Sequence, residues 1–234
     1  MKDGRIKEPL SQSRLSAVRR SPLTDQVVEQ LTKRILSGDL APGTLLRQAQ
    51  LAAQLSVSRT PLREAMHVLL TDGLLTKRPN GIFAVIVPTL ADARDTYELR
   101  EVIDAFAARM AATRATDDQI TELQRLVERL EKTCEPFDAP RYLEAVTDYH
   151  VGLLKASGNQ TIRPLETTIR MSTRVLYPQF SKRKDRLIAA AREHRRLFEA
   201  IRDRNPDQAE YLARDHVRNV IKFWIEQPDS VSVG

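Results

Sequence analysis

The chain has 234 residues, of which 41% are hydrophobic and 29% are charged, so it can build a core and is not globally disordered. Its single cysteine, Cys134, excludes a disulfide framework within the chain and a cysteine-based zinc finger. The net charge of +6 falls entirely on the first 88 residues, which hold 13 Lys and Arg against 7 Asp and Glu, while the other 146 residues hold 24 of each. A basic segment joined to a neutral one indicates a polyanion binder that carries a second role.

The N-terminal residues 1–22 are polar and basic and show no apolar period. We expect them to form a flexible arm, either simply solvated or in contact with a DNA backbone. They lack the apolar stretch of a signal peptide, and no apolar run in the chain approaches the roughly 20 residues of a membrane helix. The sequence therefore predicts a cytoplasmic protein without a membrane partner.

Residues 23–88 predict three helices followed by a β-hairpin. Apolar residues recur at spacings of three and four in three segments, which are separated by Gly38, by the turn after Leu55 and by Gly73. Two apolar runs then flank Pro79-Asn80-Gly81, a sequence typical of a hairpin turn. Three helices and a hairpin in a basic segment describe a winged helix-turn-helix domain.

The N-terminus of the third helix is the candidate DNA-reading surface, because that end of the recognition helix enters the major groove. Arg59 and Arg63 lie one turn apart, opposite the apolar face, and arginine can bridge two acceptors of a guanine. The hydroxyls of Ser58 and Thr60 suit phosphate contacts. The alternative is that the two arginines only solvate a helix face.

Residues 89–228 show no strand signal and predict an all-α bundle of about six helices, with a frayed tail at 229–234. The predicted fold class is therefore mostly α, a winged helix-turn-helix followed by a helical bundle. The predicted breaks between the helices lie near 115–116, 135–140, 158–164, 181–185 and 205–206.

Three histidines of this bundle, His150, His194 and His216, fall on three different predicted helices. Imidazole is a good ligand for zinc and similar metals, so the three can form a metal site, or they can be ordinary surface or core residues. Arg100 lies within an apolar helix face and needs an anionic partner. That partner is either Asp104, one turn along, or the carboxylate of a bound effector. Asn219 either lines the same pocket or lies at the surface.

The N-terminal part closely resembles the GntR family of bacterial transcription regulators over residues 36–43, 51–65 and 69–75, with the core Val-Ser-Arg-Thr-Pro-Leu-Arg-Glu-Ala at 57–65. The resemblance implies DNA contacts from Arg59, Thr60 and Arg63, and from the wing glycine, Gly81. Some members place an arginine just before the leucine of the second helix. That position is Ala49 here, and Arg47, two residues earlier, is the candidate replacement.

The C-terminal part resembles the effector domain of FadR-type regulators. The positions that carry this resemblance are 97–104, 149–150, 157–159, 193–194 and 216. The resemblance implies a bundle around a small-molecule pocket, often with a divalent metal held by one aspartate and three histidines. A ligand, often a small carboxylate, completes the metal shell. It assigns His150, His194 and His216 as metal ligands and Arg100 and Asn219 as candidates for the effector. The family aspartate position is Val146 here, and Asp148 should point elsewhere because it lies about 200° around a helix from His150.

The predicted function is that of a ligand-responsive transcription regulator, a homodimer that binds a palindromic operator in double-stranded DNA and responds to a small organic acid. The first alternative is a helical metal-dependent enzyme that uses the three histidines. The sequence offers it no H-E-x-x-H motif and no nucleophile elbow. The second alternative is a structural DNA-binding protein without an effector, for which the neutral part is larger than DNA binding requires.

Overall fold

A computed structural model describes residues 22–173 and 184–222 of the chain. The predicted arm, apart from Pro22, and the predicted tail at 229–234 lie outside these residues. The first part of the chain forms three helices and a small sheet. Their bounds are α1 Pro22–Ser37, α2 Gln48–Gln54, α3 Arg59–Thr71, β1 Leu45–Leu46, β2 Leu75–Lys77 and β3 Phe83–Val85. The predicted winged helix-turn-helix is confirmed.

The sheet has three antiparallel strands in the order β1-β3-β2, one strand more than the predicted hairpin. β1 was not predicted because two residues are too few to show an alternating pattern. The turn at Pro42-Gly43 brings the chain back along β3, where the N–H of Gly43 donates to the carbonyl of Val85 at 3.0 Å. Flanked on both sides, β3 is buried along its whole length.

The core of the winged helix comes from the predicted apolar faces. Leu31, Leu62, Met66 and Leu69 are completely buried between α1, α3 and the sheet. Their burial leaves the opposite, polar face of α3 in solvent. The wing turns at Gly81, whose positive φ of 79° suits glycine.

The second part of the chain is a bundle of six α-helices within the described residues, as predicted. These are α4 Leu90–Arg114, α5 Asp117–Lys132, α6 Ala139–Ala156, α7 Glu166–Met171, α8 Lys184–Arg202 and α9 Pro206–Val220. Side-chain caps fix several of the starts: the Thr89 and Thr116 hydroxyls, the Asp138 carboxylate and the Asn205 amide oxygen each accept a backbone N–H of the first turn. Four predicted breaks match the structure, and most of the fifth, at 181–183, lies outside the described residues.

Small side chains bring the bundle helices close together. The buried face of α4 is rich in alanine, with Ala107, Ala108 and Ala111 almost fully buried where α4 packs on α6, α8 and α9. Gly152 of α6 faces Leu126 of α5, and a Cβ at position 152 would lie 2.5 Å from the Leu126 side chain. This close packing holds the inner faces of α4, α6, α8 and α9 around one small cavity. No helix of the described ranges is both long and apolar enough to cross a membrane.

Candidate functional site

Three histidines meet at the centre of the bundle, one each from α6, α8 and α9. His150, His194 and His216 are all buried, and each offers a ring nitrogen within 4.8 Å of those of the others. The Nε2 atoms of His150 and His194 are 3.1 Å apart, and the ring centroids of His194 and His216 are 4.3 Å apart. The structure therefore brings together residues that are 44 and 22 positions apart in the sequence. These distances suit three ligands of one metal ion.

The outer ring nitrogen of each histidine faces an acceptor. His194 Nδ1 lies 2.6 Å from the carbonyl of Ala190, and His216 Nδ1 lies 2.6 Å from Oε2 of Glu193. His150 Nδ1 lies 3.4 Å from Oδ2 of Asp104, longer than a good hydrogen bond but facing a group that only accepts. In His194 and His216, these acceptors favour the proton on Nδ1, so Nε2 keeps its lone pair. Outer partners of this kind are typical of metal-binding histidines.

Burial keeps the imidazoles of His150 and His194 neutral. It lowers the pKa of His150 well below its usual value, and the charge of Arg100 lowers that pKa further. Burial likewise lowers the pKa of His194 well below its usual value, with the neighbouring His216 as the next cause. The 3.1 Å between Nε2 of His150 and Nε2 of His194 suits a hydrogen bond, and a cation bound by both nitrogens would take the place of its proton. The donor set therefore fits a divalent metal.

Glu193 supports the cluster from behind. Burial pushes its pKa upward, but hydrogen bonds from His216 and Arg186 outweigh this and lower the pKa to about 2. The Arg186 guanidinium holds both carboxylate oxygens, at 2.6 and 3.1 Å. Sequence reasoning gave Glu193 no role, because its contact with His216 joins positions 23 residues apart on two helices and shows no helical spacing.

The cavity between the histidines has a volume of about 20 Å³, room for an ion or a water-sized group. Tyr97, Tyr142 and Val146 form much of its wall, and Arg100 and Thr173 also line it. Tyr142, Val146 and His150 are spaced four residues apart on α6, so the helical period could have indicated that they share a face.

No carboxylate occupies the position of the family aspartate. Val146 lies one turn before His150, is buried, and presents its side chain to the cavity. Asp148 instead pairs with Arg129 and lies 3.9 Å from Arg170. The three histidines would thus hold a metal without filling a tetrahedral ligand set, and the remaining ligand would have to come from the cavity.

Arg100 is buried at the edge of the cavity, with 2% of its surface exposed. Its Nη2 lies 2.7 Å from Oδ2 of Asp104, and its Nη1 donates to Oγ of Ser172 at 3.1 Å. The salt bridge predicted as one alternative is therefore present. The guanidinium also lines the cavity, and its Nε–H has no hydrogen-bond partner among the described residues.

Asn219 lies behind the cluster and does not line the cavity. Its amide nitrogen is 3.4 Å from Oε1 of Glu193 and 3.3 Å from Oδ2 of Asp215. Asn219 therefore contacts the carboxylate that holds His216, and not the cavity for which it was a candidate.

The candidate DNA-reading residues share one exposed region of the winged helix. Ser58, Arg59, Thr60 and Arg63 are exposed at the start of α3, and Ser58 occupies the N-cap position without using its hydroxyl in a cap bond. Among the described residues, neither arginine forms an ion pair with an acidic side chain. Their charges and donors are therefore available to an outside polyanion.

Two further candidates come from other elements. Arg47 is exposed at the N-cap position of α2, and Gly81 is half-buried at the tip of the wing.

Comparison with known proteins gives two family matches along the chain. Residues 23–85 match the family described as bacterial regulatory proteins, gntR family, and residues 95–219 match the FCD domain. The chain is 31% identical over 177 residues to the Nta operon transcriptional regulator of Aminobacter aminovorans, covering 76% of this chain and 82% of that protein. It is 27% identical to the transcriptional repressor RspR of Escherichia coli K12, over 85% of this chain and 87% of that one.

Two solved structures share the fold. McbR/YncC of E. coli aligns with a TM-score of 0.74 at 22% identity, over 88% of this chain and 98% of that one. A GntR-type transcriptional regulator from Rhodococcus sp. RHA1 aligns with a TM-score of 0.72 at 21% identity, over 84% and 94%. The relatives are transcription regulators, so the metal-enzyme alternative is not supported. The chain belongs to the GntR family of bacterial transcription regulators and carries an FCD domain as its helical C-terminal part.

Proposed function

We propose that this regulator binds a palindromic operator as a homodimer, and that a small organic acid bound at a divalent metal in its bundle controls the DNA affinity. The observation that carries the proposal is the buried cluster of three histidines beside Arg100. A site of this kind serves no need of the fold, because a core made of apolar side chains alone would be easier to desolvate.

The metal is proposed to be zinc or a similar ion held by His150, His194 and His216. When bound, it acts as a Lewis acid that accepts an anionic oxygen of the effector. Asp104, Glu193 and the carbonyl of Ala190 keep the three rings oriented and their Nε2 lone pairs directed inward.

The effector is proposed to be a small carboxylate. The Nε–H of Arg100 is a buried donor that a carboxylate at the cavity can accept from, and an apolar wall of Tyr97, Tyr142 and Val146 excludes competing water. For Asn219, the contact with Glu193 supports an indirect role, in which it steadies the partner of His216.

On DNA, we assign base and phosphate contacts at the start of α3 to Ser58, Arg59, Thr60 and Arg63. Gly81 lets the wing backbone approach the duplex, and Arg47 adds a phosphate contact from the start of α2. Because the DNA partner of a bacterial regulator lies in the cytoplasm, we place the protein there.

A two-fold contact through α4 is proposed to form the dimer. Leu99, Val102 and Phe106 form an apolar stripe on the exposed face of α4, at 50%, 58% and 38% exposure. Asp95 precedes the stripe and Arg109 follows it at the same helical spacing. When two copies pack antiparallel, the apolar stripe of each copy lies on that of the other, and Asp95 approaches the partner's Arg109, which already pairs with Asp207 and Glu210 of its own chain.

Zinc titration of the full chain by calorimetry tests the metal site. We expect one zinc per chain for the wild type, and an affinity at least about tenfold weaker for His194→Ala. His67→Ala is the matched control, because His67 is the fourth histidine and lies exposed on α3. Circular dichroism checks that both variants are folded. Equal zinc affinity in wild type and His194→Ala contradicts the metal site.

A further inference from the structure

The C-terminal end of α7 touches both the bundle and the winged helix. Ile169 is fully buried in the bundle core, whereas the side chain of Met171 packs against the buried core of the winged helix. The next residue, Ser172, is fully buried and accepts a hydrogen bond from Nη1 of Arg100 at 3.1 Å. Within four residues, the chain thus contacts two hydrophobic cores and one wall of the cavity.

A continuous set of contacts joins this segment to the histidine cluster. Ser172 binds Arg100, Arg100 binds Asp104 at 2.7 Å, and Asp104 lies 3.4 Å from His150. The hydroxyl of Thr173, which lines the cavity, lies 2.8 Å from the hydroxyl of Thr147 on α6. All six of these side chains are buried polar or charged groups, for which a lost partner is costly.

On the side of the winged helix, α7 lies beside α1. Arg170 lines a surface cleft together with Glu29, Lys33 and Leu36 of α1. α1 in turn packs on α3, and the Thr24 hydroxyl donates to Glu64 of α3 at 2.9 Å. The segment that contains Met171 thus adjoins α1, which contacts the DNA-reading helix.

We propose that Met171, Ser172 and Thr173 couple the effector cavity to the winged helix. The ligand in this proposal rests on the proposed function, whereas the contacts are observed in the structure and do not depend on it. An effector carboxylate that binds the Nε–H and Nη2–H edge of Arg100 in bidentate fashion competes with Asp104 for Nη2 and shifts the guanidinium relative to Ser172. Because packed cores switch between discrete arrangements rather than deforming smoothly, a shift at Ser172 carries the adjoining Met171 to a new position on the winged helix.

A double-mutant cycle tests this coupling without any ligand. Amide hydrogen exchange of α1 and α3 is measured in the full chain for the wild type, Ser172→Ala, Met171→Ala and the double variant. We expect Ser172→Ala to change exchange in α3 by about 2- to 30-fold when Met171 is present, the range known for mutations along a coupling route. In the Met171→Ala background, the same substitution should have almost no effect. Met110→Ala, a half-buried methionine of α4, is the matched control and should preserve the effect.

A second experiment, with and without zinc, distinguishes a failure of this proposal from a failure of the proposed metal site. Exchange in α3 is measured with and without zinc for the wild type and Met171→Ala, with zinc affinity measured in parallel. We expect equal zinc affinity but a response in α3 of the wild type only. If the wild type binds no zinc, the metal site is contradicted. The double-mutant cycle, which needs no zinc, still tests the coupling. An unchanged effect of Ser172→Ala in the Met171→Ala background, or no effect in the wild type, overturns the coupling.

Discussion

Val146 stands at the position for which the resemblance to FadR-type regulators implies an aspartate ligand. It faces the cavity one turn before His150, where a carboxylate would complete the ligand set. We predict that Val146→Asp strengthens zinc binding by on the order of tenfold or more, because it adds an anionic ligand to three neutral ones.

The control for this prediction is Val146→Asn, which has the same shape as Val146→Asp but no charge. Calorimetric zinc titration of the three proteins provides the comparison. In the absence of zinc, Val146→Asp should lower the melting temperature, since it buries a carboxylate without a partner. Zinc affinities of Val146→Asp and the wild type that agree within error would show that position 146 does not face the metal.

Arg59 and Arg63 carry the proposed base recognition. A good bidentate contact to a base contributes about 1–3 kcal/mol, so Arg59→Ala and Arg63→Ala should each weaken binding to the preferred sequence by at least about tenfold. The affinity is measured at fixed salt on duplexes that the wild type enriches from a random pool. Arg202→Ala, at the surface of the bundle, should leave the affinity unchanged. A loss below twofold in both α3 variants would remove these arginines from the recognition surface.

At the scale of elements, the start of α4 is fixed by a reciprocal cap. The Thr89 hydroxyl accepts from the backbone N–H of Asp92 at 3.1 Å, and the Asp92 carboxylate accepts from the backbone N–H of Thr89 at 2.8 Å. Asp92→Asn should lower the free energy of unfolding by up to about 1 kcal/mol at neutral pH. Urea unfolding provides the measurement, and Asp39→Asn, at an exposed acidic residue outside α4, is the control.

The cost of Asp92→Asn should also depend on pH. Hydrogen bonds from the Thr89 backbone and side chain lower the pKa of Asp92 below its ordinary value of 3.8. A lowered pKa in the folded state stabilises the protein above the unfolded value and loses that contribution as pH falls through the folded value. The difference between wild type and Asp92→Asn should thus be full above about pH 5 and shrink in more acidic solution. A difference that grows toward acidic pH would contradict this assignment.

Helices and breaks were predictable because each leaves a local signal in the sequence. The apolar periods indicated the buried faces of α1 and α3, and the Asn80-Gly81 turn indicated the wing. β1 was missed because its two residues pair with β3, which lies far along the sequence.

The candidate site was predictable only in part. Arg100 and Asp104 are one helical turn apart, so their salt bridge was visible as an alternative. Spacing could not show that His150, His194 and His216 converge; the family resemblance supplied that expectation. The contact of Glu193 with His216, and that of Ser172 with Arg100, depend on how helices pack and leave no periodic trace.

At the scale of the whole molecule, the exposed stripe of α4 predicts the dimer. Val102→Asp places a charge at the centre of the stripe, and we expect it to raise the dimer dissociation constant by at least about tenfold, since a buried unpaired charge costs several kcal/mol. Analytical ultracentrifugation of the full chain measures this constant. Tyr211→Asp adds a charge at another exposed apolar residue outside the stripe and serves as the control. A dimer constant that is changed by Tyr211→Asp but not by Val102→Asp would place the interface elsewhere.

The charge distribution fits a division of labour between the two parts of the chain. The basic excess lies in the first 88 residues, which include the arginines at the start of α3, while the part that encloses the cavity is neutral. The contacts of α7 with both parts give the neutral bundle a physical route to the basic domain.

DNA affinity measured as a function of occupancy of the histidine cluster tests the central claim most directly. The full chain is titrated onto its selected duplex after chelation, with zinc, and with zinc plus acetate, succinate or citrate, in parallel for wild type and His194→Ala. We predict that the wild-type affinity changes by about 5- to 150-fold in at least one condition, the usual range of allosteric coupling, and that His194→Ala does not respond. A wild-type affinity that is the same in every condition, or an equal response in His194→Ala, would contradict the account.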